Sequence, residues 1–383
     1  MSSFTSLPGA SQFTNSRALT RRLHVFSVAL TLLLGVTASA KKPEPAAAAS
    51  SGPAVFTDSS AAGLSATKRV AITNVMVSFQ ASVGDKTSTN GLLAHKSDTS
   101  SLIQMPDMDP KLLAAITDGI YAQLKTDLAA NGFEVVPEAT VVASPSYQKI
   151  IKLAGISNFS KFINRDGDTM LVGASGLKPY LPYNSETGSF SAPSNNGIRI
   201  KGWVSAMGLG SSTPGGPSLT SIGTIYELPG LEVDLAKELN AHVVKATYLV
   251  TLGSTTASIS GRFTRYNNHT GTAFAQVGIK ADQTRIAFRT PNGNHKWQTI
   301  ARVKVAPAKD GDVVVTLAEP LLGGTDFFEI SSAKKGKGML GLGGGADMQF
   351  AFTVTIANAD AYREEVTGLI KDAQTKLLAL VKQ

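Results

Sequence analysis

The chain reads as an α+β protein: helices packed on a mixed sheet, then a mainly antiparallel β region, then a C-terminal amphipathic helix. Three observations predict this class. Residues 109–137 hold a capped, apolar-striped helix that runs straight into a strand, and residues 229–250 repeat that order. From residue 258 onward the apolar period shortens to two, the signature of strands with one buried face.

The first forty residues read as an export signal. Arg17, Arg21 and Arg22 precede an apolar run from Val25 to Val36, and Ala38-Ser39-Ala40 places small residues before a cleavage point. The run is shorter than the roughly 20 apolar residues a spanning helix needs. The adjacent arginines leave a general secretory route and a twin-arginine route both open. Residues 41–66 are Ala, Ser, Pro and Gly with little to bury, the composition of a disordered tether. Residues 67–383 then form the α+β domain, as one unit or as two subdomains divided near residues 180–225.

Order begins with the β-branched run Arg69 to Val77, the first strand, and the polar stretch Ala81 to Ser101 reads as a long loop. The organising helix follows. Asp109 suits its cap, Pro110 its first position and Gly132 the left-handed residue after its end. Leu113, Ile116, Ile120, Leu124 and Leu128 form its apolar stripe, and Phe133 to Val136 is the strand it feeds. A short helix is predicted over Ser146 to Ala154. Asn164 to Asp168 has alternating oxygen ligands, but Thr169 replaces the required glycine and Ser175 the required glutamate, so a turn into the strand Thr169 to Gly173 replaces a calcium loop. Pro179 to Gly223 reads as an insertion containing a strand-like Ile198 to Val204.

The second helix is predicted over Pro229 to Leu239, with Leu231, Leu235 and Leu239 four apart and Asn240 closing it. It feeds the strand His242 to Val250. Strands follow at Ser258 to Tyr266, Thr272 to Lys280, Thr284 to Thr290, Lys296 to Val305, Val313 to Leu317, Thr325 to Ile330 and Met348 to Ile356. Tyr362, Val366, Leu369, Ala373, Leu377 and Leu380 mark the closing helix.

Composition narrows the function. The chain has no cysteine, which excludes a disulfide framework, a thiol nucleophile and a lipid-bearing cysteine. The formal charge is +8; removing the leader's three arginines from the 36 basic residues leaves an excess of five over the 28 acidic ones. That mild excess in an exported protein favours an envelope protein or an anionic membrane surface as partner over nucleic acid.

The phrases RVAITNV, LKTDLAANG followed by FEVVP, and LAKELNA followed by HVVKATYLVTLGS resemble the α/β module of the curli-secretion lipoprotein family. The amino-terminal domain of the Tol translocation β-propeller protein is similar. The resemblance covers about half the mature chain. It implies a periplasmic, non-catalytic envelope component, although the lipid-bearing cysteine of the curli exporter is missing here.

The expected function is therefore that of an exported cell-envelope binding or assembly component without turnover, periplasmic or secreted, using no cofactor and no metal. The alternative is a serine-acylating enzyme of the penicillin-binding or β-lactamase type. Ser146-Tyr147-Gln148-Lys149 matches SxxK, Ser194-Asn195-Asn196 matches SxN, and His269-Thr270-Gly271 resembles the KTG strand in variant form. SxxK also occurs at Ser65, Ser331 and Ser332, so this composition produces it readily. The other candidate is the connection Ser332 to Ala346, which sets Lys334, Lys335 and Lys337 beside Met339, Leu340 and Leu342. Cations next to apolar side chains suit an anionic surface or an acidic partner groove; the competing reading is a plain connecting loop.

Overall fold

The computed structural model describes residues 67–90, 96–162, 168–180, 222–260, 268–281, 283–291, 312–338 and 346–381, with short pieces at 55–56, 64, 183–184, 189–190, 298–300 and 303–305. Residues 47–383 form one compact unit. Its main strands are β1 (Arg69–Gln80), β2 (Ser82–Asn90), β3 (Lys96–Gln104), β4 (Glu134–Val135), β5 (Phe159–Phe162), β6 (Thr169–Gly173), β7 (His242–Ser260), β8 (Asn268–Ile279), β9 (Arg285–Arg289), β10 (Asp312–Thr316), β11 (Phe328–Gly338) and β12 (Ala346–Ile356). The helices are α1 (Pro110–Ala130), α2 (Glu138–Ala143), α3 (Pro145–Ala154), α4 (Ile222–Leu239) and α5 (Ala359–Leu378).

The central sheet is mixed. β7 lies between β1, to which it is parallel, and β9, to which it is antiparallel; β10 continues one side, β6 and β5 the other, and β4 adds beside the start of β1. The predicted first strand, the strand after α1 and the strand after α4 thus share one sheet. α1 and α5 cover one face, over Val75, Val77, Val244, Tyr248 and Phe288. α3 and α4 cover the other, over Ala71, Met76, Leu171 and Val243.

Local chemistry explains the helices. Asp109 accepts the Lys111 N–H at 2.9 Å, and Gly132 takes φ +89° beyond the last turn. Asn358 caps α5, and Gln374 on its buried face donates to the Tyr248 hydroxyl at 2.8 Å, pinning the helix to β7. α4 begins at Ile222, earlier than predicted, with Pro229 inside it. An internal proline forfeits one hydrogen bond and strains the turn without ending the helix when the flanking turns hold.

β1 carries a bulge. Ile72 pairs with Val244 but Asn74 with Lys245, so Thr73 is an extra residue and both Thr73 and Asn74 turn to the α4 face. There Thr73 shares a 2.8 Å hydrogen bond with the Tyr180 hydroxyl, and the Asn74 amide donates to the Tyr180 carbonyl at 2.6 Å.

The stretch Ala81 to Ser101 corrects the loop expectation. It contains β2 and most of β3, an antiparallel hairpin that forms a second sheet in the order β11-β12-β3-β2. The loop expectation failed because the inward positions are Ser97, Thr99 and Ser101, buried yet polar. β1 crosses into this sheet at Ala81: the Ala81 and Ser82 N–H groups both donate to the Asp168 carbonyl, and Ala81 accepts the Met105 N–H at 2.7 Å.

Beyond β1, the second half of β7 continues with β8 as a two-stranded layer facing the second sheet. The predicted break between residues 250 and 258 does not occur. Gly253 absorbs a register shift at φ +133°, where an added Cβ would lie 2.1 Å from the Phe274 carbonyl oxygen. We call this two-layered extension the arm. Its apolar seam is small, formed by Ile103, Met105, Leu252, Ala275 and Val354. Further out the layers meet through hydroxyls: Ser101 to Thr255, Thr255 to the Thr272 carbonyl, and Thr99 to His269. The β7 edge that β1 has left is covered by side chains of β2. Asp85 accepts the Ala257 N–H and Thr87 donates to the Ala257 carbonyl, both at 2.7 Å.

Candidate functional site

The serine-enzyme constellation does not assemble. Ser146 lies in the first turn of α3, 8% exposed, and its N–H donates to Glu238 at 3.2 Å. Burial opposes ionisation of Glu238, but hydrogen bonds from Ser146 and Ser144 and the charge of Lys149 outweigh it and hold that carboxyl below its usual range. Ser146 and Lys149 therefore serve a capping cluster that ties α3 to α4. His269 pairs with Ile259 near the far end of β7, whereas Glu238 directly precedes its start. Roughly 55 Å of strand separates the two ends at ~3.3 Å per residue. Ser194 lies outside the described residues.

The long connection predicted at Ser332 to Ala346 is shorter. β11 continues into it as far as Gly338, and Lys334, Lys335 and Lys337 stand opposite Phe350, Gln349 and Asp347 in a ladder that closes at Gly338 and Ala346. The partner strand carries a strong pattern, and its backbone extends the pairing through a Gly-Lys segment that has no strand propensity of its own. Met339, Leu340 and Leu342 lie outside the described residues, as does Ile198 to Val204. β11 is the outermost strand of its sheet, hydrogen-bonded to β12 alone among the described residues. Ile330 on it is 46% exposed.

Two features were missed from sequence. The first is a buried ionic cluster. Glu232 on α4 receives Lys245 Nζ at 2.8 and 2.9 Å and Arg289 Nε at 2.9 Å, with all three residues buried. Burial raises the pKa of Glu232, and Lys245 followed by Arg289 reverses this to a net lowering. Its signal was present: Glu232 falls on the stripe between Leu228 and Leu235, and Lys245 interrupts the apolar run of β7. The cluster bolts α4 to β7 and β9.

The second is a cavity of about 450 Å³ at the corner where β1 crosses between sheets. Ala81, Gln104, Met105, Met108 and Met170 line it, with the Lys161–Asp168 ion pair at 2.9 Å on one wall. Nothing in the sequence joins these residues, because the corner itself brings them together. Asp168 belongs to the abandoned calcium-loop phrase and is here a backbone acceptor and an ion-pair partner.

His242 is buried, and Nε2 donates to the carbonyls of Leu64 and Thr67, anchoring the chain before β1. Burial lowers its pKa more than these acceptors raise it. Among the described residues no group of three or more His, Asp or Glu side chains could hold a metal ion, and no helix is long and apolar enough to cross a membrane. Comparison with known proteins adds no relative: no family model matches the chain, and neither curated proteins nor solved structures give a significant match.

Proposed function

We propose that the protein is an exported cell-envelope binding or assembly component that works by contact through the arm. The observation that carries this reading is β11, an eleven-residue outer strand bonded on one side only among the described residues, with Ile330 exposed and three lysines towards its end. An open strand edge offers backbone donors and acceptors to an extended partner segment, and an exposed apolar residue adds affinity and register. The leader pattern of residues 1–40 supports an envelope partner for this contact.

The lysines bear on a second contact, with anionic lipid, at about 1 kcal/mol each near a charged leaflet. The test replaces Ile330 by Asp and, separately, Lys334, Lys335 and Lys337 by Gln, then measures association with isolated envelopes and with anionic vesicles at low and high salt. Loss of envelope association in Ile330→Asp alone supports strand contact. Loss of salt-sensitive vesicle binding in the lysine variant supports the lipid surface. Unchanged association in both variants discards the proposal.

A further inference from the structure

The corner cavity stands out in composition only for its sulfur. Three of its eleven lining residues are methionine, whereas the whole chain has eight in 383 residues, so composition alone does not account for it. Backbone geometry explains the convergence. Met170 on β6 stands opposite Phe79 near the end of β1, and the Met105 N–H bonds to Ala81 two residues further on, so both flank the same corner. Met108 follows Met105 by three residues in non-helical chain, which leaves two flexible thioethers on one short segment.

A thioether is a poor hydrogen-bond acceptor and a soft electron-pair donor, ill matched to Ca²⁺, Mg²⁺ or Zn²⁺ and well matched to Cu(I). The charge on the lining does not oppose a cation: Asp168 and Lys161 neutralise each other across their 2.9 Å ion pair. With no cysteine in the chain, thioethers are its only sulfur ligands. We infer that the corner cavity is a binding site for a soft monovalent metal ion, Cu(I), held by the sulfurs of Met105, Met108 and Met170.

This inference is independent of the contact role of β11. The experiment uses the purified full chain carrying ¹³C-methyl methionine, with Ag(I) as a redox-silent probe of the same softness, followed by Cu(I) in competition with a colorimetric chelator. Expected are one bound equivalent, shifts confined to the methyl signals of Met105, Met108 and Met170, and at least tenfold weaker binding in Met108→Leu/Met170→Leu. Both positions are only half-buried and leucine conserves volume, so that variant retains the fold; an unchanged near-ultraviolet circular dichroism spectrum verifies this. No saturable Ag(I) binding, binding that leaves those three signals in place, or equal affinity in the double variant would each overturn the assignment.

Discussion

β7 passes through two environments, and the contrast between its halves divides the molecule. From His242 to Val250 every position is buried, because helices cover both faces of the sheet; from Thr251 to Ser260 buried and accessible positions alternate, because only one face meets another layer. The first half is held by apolar area and one ionic cluster, the second by a thin apolar seam, hydroxyl pairs and side chains that stand in for a missing strand. A single strand therefore spans two kinds of stability, and substitutions along it should separate them.

The largest effect is expected in the helix-covered half. Glu232→Gln leaves Lys245 and Arg289 buried without their shared anion and should cost about 3–5 kcal/mol, measured by urea denaturation. Replacing all three by apolar residues of similar size should recover most of that loss; failure to recover would mean that the cluster also dictates how α4 seats.

Acid should act on the same half in two stages. His242 has a folded pKa below its ordinary 6.5 because of burial, so the unfolded chain binds more protons and stability falls as pH drops below about 6.5. Glu232 has a folded pKa below its ordinary 4.5 because Lys245 and Arg289 overcome burial, so its contribution is present above 4.5 and disappears as pH falls through the folded value. Denaturation midpoints between pH 7.5 and about 2 should show both stages, and His242→Gln should remove the first while preserving the second.

At the boundary, Gly253→Ala forces a side chain into the left-handed region against the Phe274 carbonyl and should cost about 1–3 kcal/mol. Hydrogen exchange should locate the disturbance in β8 and the second sheet, with α1 and α5 unaffected; protection lost equally across both halves would dissolve the distinction. Within the arm, Asp85→Ala removes the acceptor of the Ala257 N–H and should cost about 1–2 kcal/mol. Lys86→Ala breaks an exposed ion pair with Asp98 at 2.8 Å and should cost less than about 1 kcal/mol in the same assay.

The same contrast explains what could be read in the sequence. α1 was legible because its cap, stripe and closing glycine agree, and the first half of β7 because its β-branched run has no competing reading. α5 was legible from its stripe, although Gln374 occupies a buried position that the Tyr248 hydroxyl and the Ile120 carbonyl explain. The β2–β3 hairpin was illegible, since its inward residues answer hydroxyls across a seam and leave no apolar alternation. Of the candidate sites, Ser146 and Lys149 matched a catalytic pattern only because they lie three residues apart at the start of α3, whose cap is the neighbouring Ser144. The cavity could not be read at all: Met105 and Met170 share a corner only after β1 changes sheets.

The pairing of β3 with β12 joins Thr99 to Met348, residues far apart in the sequence. During synthesis the β2–β3 hairpin is made long before the strand that completes its sheet. An unpaired edge that must wait is an aggregation hazard, most severe when apolar. The serines, threonines and aspartates of β2 and β3 keep that edge solvated in the interval, so the polarity that conceals the hairpin from pattern reading also protects the chain while it is unfinished.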